Sequence, residues 1–252
     1  MRKDNFNKRH YDSIKRHLQK CAWAIEVVDA RGIQKTRIPQ LETKFLDKLF
    51  IAATKTDLLQ SPPEQNPFRK TPIFYVSSKT KKGIAGLNGQ IKKIVRQKLK
   101  TKEPPISIFI FGIPNVGKSS LINSLLGKNV AKTGFRSGIT RGIQWLSYDE
   151  NTRIVDAPGV TAGKLNEGDL GIYAAVDAQR IANPFGIAKK LIEKNSIQIC
   201  SFYKIENAQD PQALLENIAF KRKKLLKGGE PDTDSAARLL ILDFQKGRIN
   251  QS

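Results

Sequence analysis

The segment Gly112-Ile113-Pro114-Asn115-Val116-Gly117-Lys118-Ser119 spaces two glycines, a lysine and a hydroxyl in the pattern G-x-x-x-x-G-K-[ST]. That spacing suits phosphate chemistry. Glycines let backbone N–H groups curl around phosphate oxygens with no Cβ in the way. An apolar run over 106–111 precedes the loop and a helical pattern follows from about Lys118. The loop would therefore present its N–H groups and a helix dipole to one anion. Asn115, Val116, Gly117, Lys118, Ser119 and Ser120 are the phosphate-side binding candidates. Lys118 would reach the β- and γ-phosphates, and Ser119 would hold Mg2+.

Two further segments bear on which base such a phosphate carries. Thr54-Lys55-Thr56-Asp57 follows an apolar run at 50–53 and resembles the [NT]-K-x-D motif of GTPases. Asp57 would accept from guanine N1–H and the 2-amino group, a donor pair that adenine lacks. Lys55 would lay its aliphatic stem along the base. Ser77-Ser78-Lys79 follows the run at 73–76 and resembles the S-A-K loop, whose backbone N–H meets guanine O6. Downstream, Asp156-Ala157-Pro158-Gly159 matches D-x-x-G behind a short strand pattern at 153–155. Asp156 would bind Mg2+ through water, and Gly159 would donate to the γ-phosphate. Thr140, in Gly138-Ile139-Thr140-Arg141-Gly142, is the candidate switch threonine that completes the Mg2+ shell in the GTP state. The expected metal set is thus Ser119, Thr140 and Asp156.

These residues need strands to carry them. Short β-branched or apolar runs at 23–29, 50–53, 73–76, 106–111 and 153–155 alternate with helical patterns at 38–49, 84–100 and from 118. Alternation of this kind predicts an α/β fold with a mostly parallel, doubly wound sheet. After about residue 170 strand signals fade. Leu214, Leu215, Ile218, Leu225 and Leu226 follow helical spacing, as do Ala236, Ala237, Leu240, Ile241 and Phe244 behind an Asp232-Thr233-Asp234 start signal. The expected organisation is a basic N-terminal arm or helix over 1–20, a nucleotide-binding domain over 21–169 and a small α-helical domain over 170–252.

Composition adds a partner. The chain has 252 residues, a net charge of +21 and 39% hydrophobic residues. Its mean hydropathy is −0.40 and its isoelectric point about 10.0. The cations cluster: nine of them fall between Lys79 and Lys102 with no acid among them, and Lys221-Arg222-Lys223-Lys224 is followed by Lys227. Clustering favours a polyanion such as nucleic acid over a merely solvated surface, because phosphate contacts release counterions. No run approaches the roughly 20 apolar residues of a membrane span, and the first residues lack an apolar signal core. Cys21 and Cys200 lie far apart without metal-ligand spacing and read as buried thiols of a reducing compartment. A cytoplasmic monomer with no membrane partner is the expectation.

The motif order is unusual. An ordinary small GTPase runs phosphate loop, switch threonine, D-x-x-G, N-K-x-D, S-A-K, whereas this chain runs the last two first. A doubly wound sheet tolerates such a permutation because domain termini lie at the surface, often close together. In this the chain resembles the circularly permuted P-loop GTPases of the YlqF/RbgA/YawG group, ribosome-biogenesis-GTPase-A-like proteins with a Ras-like domain. The matching residues are Asp29-Ala30-Arg31, Thr54-Lys55-Thr56-Asp57, the phosphate loop, Pro158-Gly159, Gly228-Gly229-Glu230-Pro231-Asp232 and Asp243-Phe244-Gln245-Lys246-Gly247. The resemblance implies GTP and GDP as ligands, GTP hydrolysis, and binding to the large ribosomal subunit or its precursor and to ribosomal RNA. It also implies a catalytic histidine near the N-terminus, since Val160 stands where many GTPases place a water-orienting glutamine. His10 is that candidate, with His17 the alternative. The family's F-P-G-H segment reads Phe6-Asn7-Lys8-Arg9-His10 here, without Pro-Gly and with one extra residue. Asn115 matches an asparagine that helps hold K+ in related GTPases. Two other functions compete: a regulatory switch acting on a protein partner without RNA, and a nucleotide-dependent enzyme acting on a small molecule or tRNA.

Overall fold

A computed structural model describes residues 12–59, 71–128, 143–159, 171–173, 176–208 and 210–249. The strands are β1 (Trp23–Asp29), β2 (Leu49–Thr54), β3 (Ile73–Tyr75), β4 (Ile106–Phe111), β5 (Gln144–Ser147) and β6 (Thr152–Asp156). They form one six-stranded sheet in the order β3-β2-β1-β4-β6-β5. All neighbours pair parallel except the β5–β6 hairpin. β2 is buried at every position and β1 at all but its first residue, which is why both read as largely apolar or β-branched runs, β1 interrupted by Glu26 and closed by Asp29.

Helices accompany the strands. These are α1 over 12–20, the single turn α2 (Ile33–Thr36), α3 (Pro39–Phe45), α4 (Ile84–Lys98) and α5 (Lys118–Leu126). On α4, Ile84, Leu87, Ile91, Ile94 and Val95 are buried, while Lys92, Lys93 and Arg96 face solvent. The apolar pattern expected to run helically to residue 49 stops at Phe45 and continues as a 3-10 turn, Leu46–Lys48. Leu46 falls in that turn and is exposed. β5 carries no strand signal in the sequence because it is short and alternately half-buried and exposed.

The chain divides into two compact units, one of 1–57 with 61–165 and one of 58–60 with 166–252. The second contains α6 (Pro184–Tyr203), α7 (Pro211–Lys221) and α8 (Thr233–Gln245). Each opens on a side-chain cap: Asn183 accepts from Gly186 N, Asp210 from Ala213 N and Asp232 from Ser235 N. Ile187, Leu191, Ile199, Leu214, Ile218 and Phe244 close the core between them. The helical spacing that placed Leu225 and Leu226 in this core misleads. α7 ends at Lys221, and both leucines are exposed. The physical reason is a Schellman stop. Lys224 N donates to Ala219 O at 2.8 Å and Lys223 N to Phe220 O at 3.2 Å, with Lys223 at φ 53. Lysine, not glycine, takes the left-handed position, so the sequence shows no stop signal there. Both cysteines are free and buried. Among the described residues no helix is long and apolar enough to cross a membrane.

Candidate functional site

The carboxyl ends of β1, β2, β4 and β6 lie side by side. Asp29 pairs in register with Thr54, and Ile110 with Asp156. β1 is the point from which successive strands run outward in both directions. In open parallel sheets that is where ligands bind.

β4 delivers the phosphate loop. A Cβ on Gly112 would run into the carbonyl oxygen of Val27. Ile113 and Val116 are fully buried and pin the loop. Asn115 and Gly117 adopt left-handed conformations at φ 60 and 99, which turn the chain into α5. Lys118 opens that helix and is 7% exposed, and Asp156, ending β6, is 1% exposed. Burial pushes the Lys118 ammonium below its ordinary pKa and the Asp156 carboxyl above its own. Each opposes the other's shift by attraction. Neither carboxylate oxygen of Asp156 has a hydrogen-bond partner among the described residues. A buried carboxylate with two orphaned oxygens beside a buried ammonium fits a phosphate and its divalent cation. Gly159 lies against the loop from the other side: a Cβ there would stand 2.9 Å from both Cα and N of Pro114.

β2 delivers the segment 54–57 and ties it to the phosphate loop. The Thr54 hydroxyl lies between the carbonyl oxygens of Val28, at 3.0 Å, and Val116. Lys55, at φ 62, extends its ammonium to Oδ2 of Asp29 at 2.8 Å. Asp29 also takes Arg31 Nε at 3.0 Å and Nη2 at 2.8 Å. Burial would raise the Asp29 carboxyl, but the Lys55 ammonium and the Arg31 guanidinium overcome it and hold the group well below the usual carboxylate range. Asp57 Oδ1 accepts from Ser77 Oγ at 2.6 Å, and Ser77 Oγ in turn accepts from Thr80 N. The two base-side segments are therefore joined through their key side chains. Ser78 carries a buried hydroxyl without a hydrogen-bond partner among the described residues. With Lys79, Lys81, Ser120, Ser124 and Lys128 it lines a cavity of about 540 Å³.

The structure thus gathers Thr54, Lys55, Asp57, Ser77, Ser78 and Lys79 with the loop residues Asn115 to Ser120, and brings Asp156 and Gly159 against the same loop. Thr140, Val160 and His10 lie outside the described residues. His17 is tied into packing: its ring stacks on Phe109 at 5.6 Å between centroids, and Nδ1–H donates to Ser13 O at 2.8 Å. The site residue that spacing missed as a participant is Asp29. Its signal was an acid closing a strand that is otherwise almost entirely apolar.

Comparison with known proteins agrees with this geometry. The family model described as 50S ribosome-binding GTPase matches residues 107–217. An uncharacterized GTP-binding protein of Methanocaldococcus jannaschii is 34% identical over 248 residues, covering 94% of this chain and 65% of that protein. Ribosome biogenesis GTPase A of Bacillus licheniformis is 29% identical, covering 87% of this chain and 85% of its own. GNP-bound YlqF from T. maritima superposes with a TM-score of 0.66 over 96% of this chain and 95% of its own, at 22% identity. The chain is a GTPase with the circularly permuted fold of YlqF, related to ribosome biogenesis GTPase A. The permuted order explains why β1 to β3 come before the phosphate loop in the chain yet lie beside it in the sheet. Several other curated relatives are longer, and this GTPase spans between 25% and 48% of their length.

Proposed function

We propose that this GTPase binds and hydrolyses GTP while assisting assembly of the large ribosomal subunit, and that it binds ribosomal RNA with an affinity set by the nucleotide. The observation that carries the guanine half is the Asp57 carboxylate held by Ser77 beside a cavity that also reaches Ser120 of the phosphate-loop helix. Asp57 selects guanine, Lys55 flanks the base, and Ser77, Ser78 and Lys79 close over it. Asn115 to Ser120 hold the phosphates. Mg2+, held by Ser119, Asp156 and Thr140, would supply charge neutralisation at the phosphates, and K+ beside Asn115 would add to it. Lys118, buried and attracted to Asp156, is placed to stabilise charge that develops on the phosphate oxygens.

The ribosomal half is supported by what the relatives are named for and by exposed cations in both units, at Lys92, Lys93 and Arg96 and again over Lys221–Lys224. We assign 1–20 to a basic arm or helix, 21–169 to the GTPase domain and 170–252 to an RNA-binding helical domain of a cytoplasmic monomer. Val160 has no hydrogen-bonding atom for the attacking water, so intrinsic turnover is slow and ribosomal particles stimulate it, with His10 as the catalytic side chain.

Co-sedimentation with large-subunit particles at several salt concentrations tests this reading. Binding should be tightest with a GTP analogue, weaker with GDP, and should fall steeply with salt. Equal binding in both nucleotide states rejects the coupling. Binding to a protein partner that survives nuclease treatment would favour the competing switch without an RNA role.

A further inference from the structure

After its Schellman stop the chain does not return to the core of the helical unit. Every residue from 221 to 230 is exposed. The segment is nonetheless built. Leu225 and Pro231 form an antiparallel bridge. Asp232 N donates to Lys224 O at 2.9 Å, Leu226 N to Glu230 O at 2.8 Å and Gly229 N to Leu226 O at 3.1 Å. Gly228 and Gly229, at φ 107 and 87, make the turn, and a Cβ on either would meet nothing. A hydrogen-bonded ribbon therefore projects from the end of α7.

Its surface is unusual for a solvated turn. Leu225 is 46% exposed and Leu226 52% exposed, and Phe220, 54% exposed, stands at the ribbon's foot. Successive side chains of an extended ribbon leave on opposite faces, so each face carries one leucine. A protein-docking patch would gather its apolar groups on one face. A ribbon apolar on both faces suits insertion between two flat apolar surfaces. The flanks are cationic: Lys221, Arg222, Lys223, Lys224 and Lys227 face a single acid, Glu230, over 221–230. The Arg222 guanidinium stacks over Tyr203 at 5.0 Å, which fixes one cation at the ribbon's base. Flat apolar faces inside a polyanion are nucleobases. Apolar side chains, leucine included, wedge between base steps where unstacking is cheap, and RNA offers such places at bulges and loops.

We propose that the 224–231 ribbon is an RNA wedge: Leu225 and Leu226 insert at an unpaired, unstacked site of a structured RNA while the flanking lysines hold its phosphates. This rests on RNA being the partner, as argued above, and adds which RNA feature is recognised and by which side chains.

The test uses the full chain and two labelled RNA hairpins, one fully paired and one with a three-purine bulge carrying 2-aminopurine. The parent should bind the bulged hairpin about fivefold or more tightly than the paired one and change the 2-aminopurine fluorescence. Leu225→Ser/Leu226→Ser should erase both the preference and the fluorescence change while keeping the salt slope. Lys224→Gln/Lys227→Gln should weaken both RNAs and lower the slope by roughly two phosphate contacts. All four positions are exposed, so both variants should keep the parent's melting temperature. An unchanged bulge preference in the leucine variant overturns the wedge and leaves RNA binding standing. Failure of the parent to bind either RNA overturns the RNA reading itself. A concentration-dependent dimer that the leucine variant abolishes would assign the ribbon to self-association, which also overturns the wedge.

Discussion

The ammonium of Lys55 lies 2.8 Å from Oδ2 of Asp29, a fully buried carboxylate that also holds the Arg31 guanidinium. A lysine proposed to flank a base needs a fixed stem. Here the fixing comes from the last residue of β1, paired in register with Thr54. Two cations on one buried acid mean that losing the acid removes a shared counter-charge from both. Asp29→Asn should cost about 3–5 kcal/mol of stability and should weaken GDP binding, measured by urea unfolding and by titration of labelled GDP. The sign with pH follows from the depressed carboxyl. Its stabilisation is complete above the unfolded value of about 3.9 and is lost as pH falls below it, so the parent should gain acid sensitivity below about pH 4 that the asparagine variant lacks.

Glu26 behaves in the opposite sense. It is fully buried in β1, with Oε1 accepting from Ile38 N and Oε2 without a partner among the described residues. Burial pushes its carboxyl up to about 7, against the Ile38 amide and the Arg37 charge. The folded state therefore keeps a proton that the unfolded state has released, and stability declines between about pH 4.5 and 7 by about 3 kcal/mol. Glu26→Gln should remove that decline. Melting temperatures at pH 5 and 8 check it: parent and variant declining in parallel would refute the assignment.

Asp57→Asn tests the base. An asparagine amide donates where the carboxylate accepted, so GDP affinity should fall about a hundredfold while XDP affinity rises. The loss of one charge-assisted pair of hydrogen bonds has that size. Titration of labelled GDP and XDP against both proteins decides. Unchanged GDP affinity in the variant would remove Asp57 from base recognition.

Gly159→Ala tests the approach of the D-x-x-G segment to the phosphate loop. The added Cβ would meet backbone atoms of Pro114 at 2.9 Å, and backbone cannot rotate aside. Affinity for a non-hydrolysable GTP analogue should drop about tenfold, some 1.4 kcal/mol, with the far-ultraviolet circular dichroism preserved. Unaltered analogue affinity would mean that the two segments part in the nucleotide-bound protein.

Substituting Lys221, Arg222, Lys223 and Lys224 by alanine should reduce both affinity for ribosomal particles and the salt slope, with GTP affinity intact. A slope identical to the parent's would take this cluster out of the RNA contact.

The legible parts of this protein were those where one residue type does one job. β1, β2 and β4 announced themselves because burial on both faces leaves no room for polar alternation. The phosphate loop was readable because glycine and lysine are hard to replace in that role. What escaped depended on partners distant in sequence. Asp29 reads as a strand-ending acid until Lys55 is beside it. Leu225 and Leu226 keep helical spacing, and only the left-handed Lys223 turns them outward. α6 bends at Asn195, yet its buried positions from Pro184 to Tyr203 keep helical spacing through the bend.

The strand order also sets a timetable for synthesis. β1 lies between β2 and β4 in the finished sheet, yet β2 and β3 are translated with it and β4 only after α4. At about 5–20 residues per second, several seconds separate completion of the base-side segments from completion of Asp156 and Gly159. In the first part of that interval, until β4 is complete, one edge of β1 stands unpaired. No nucleotide is available to stabilise the intermediate, because the phosphate loop is not yet made. An unpermuted chain builds its phosphate grip first and can be held by ligand early, whereas this one must protect an open sheet until late. Its yield on refolding and in cells should therefore respond to chaperone supply more than to nucleotide concentration.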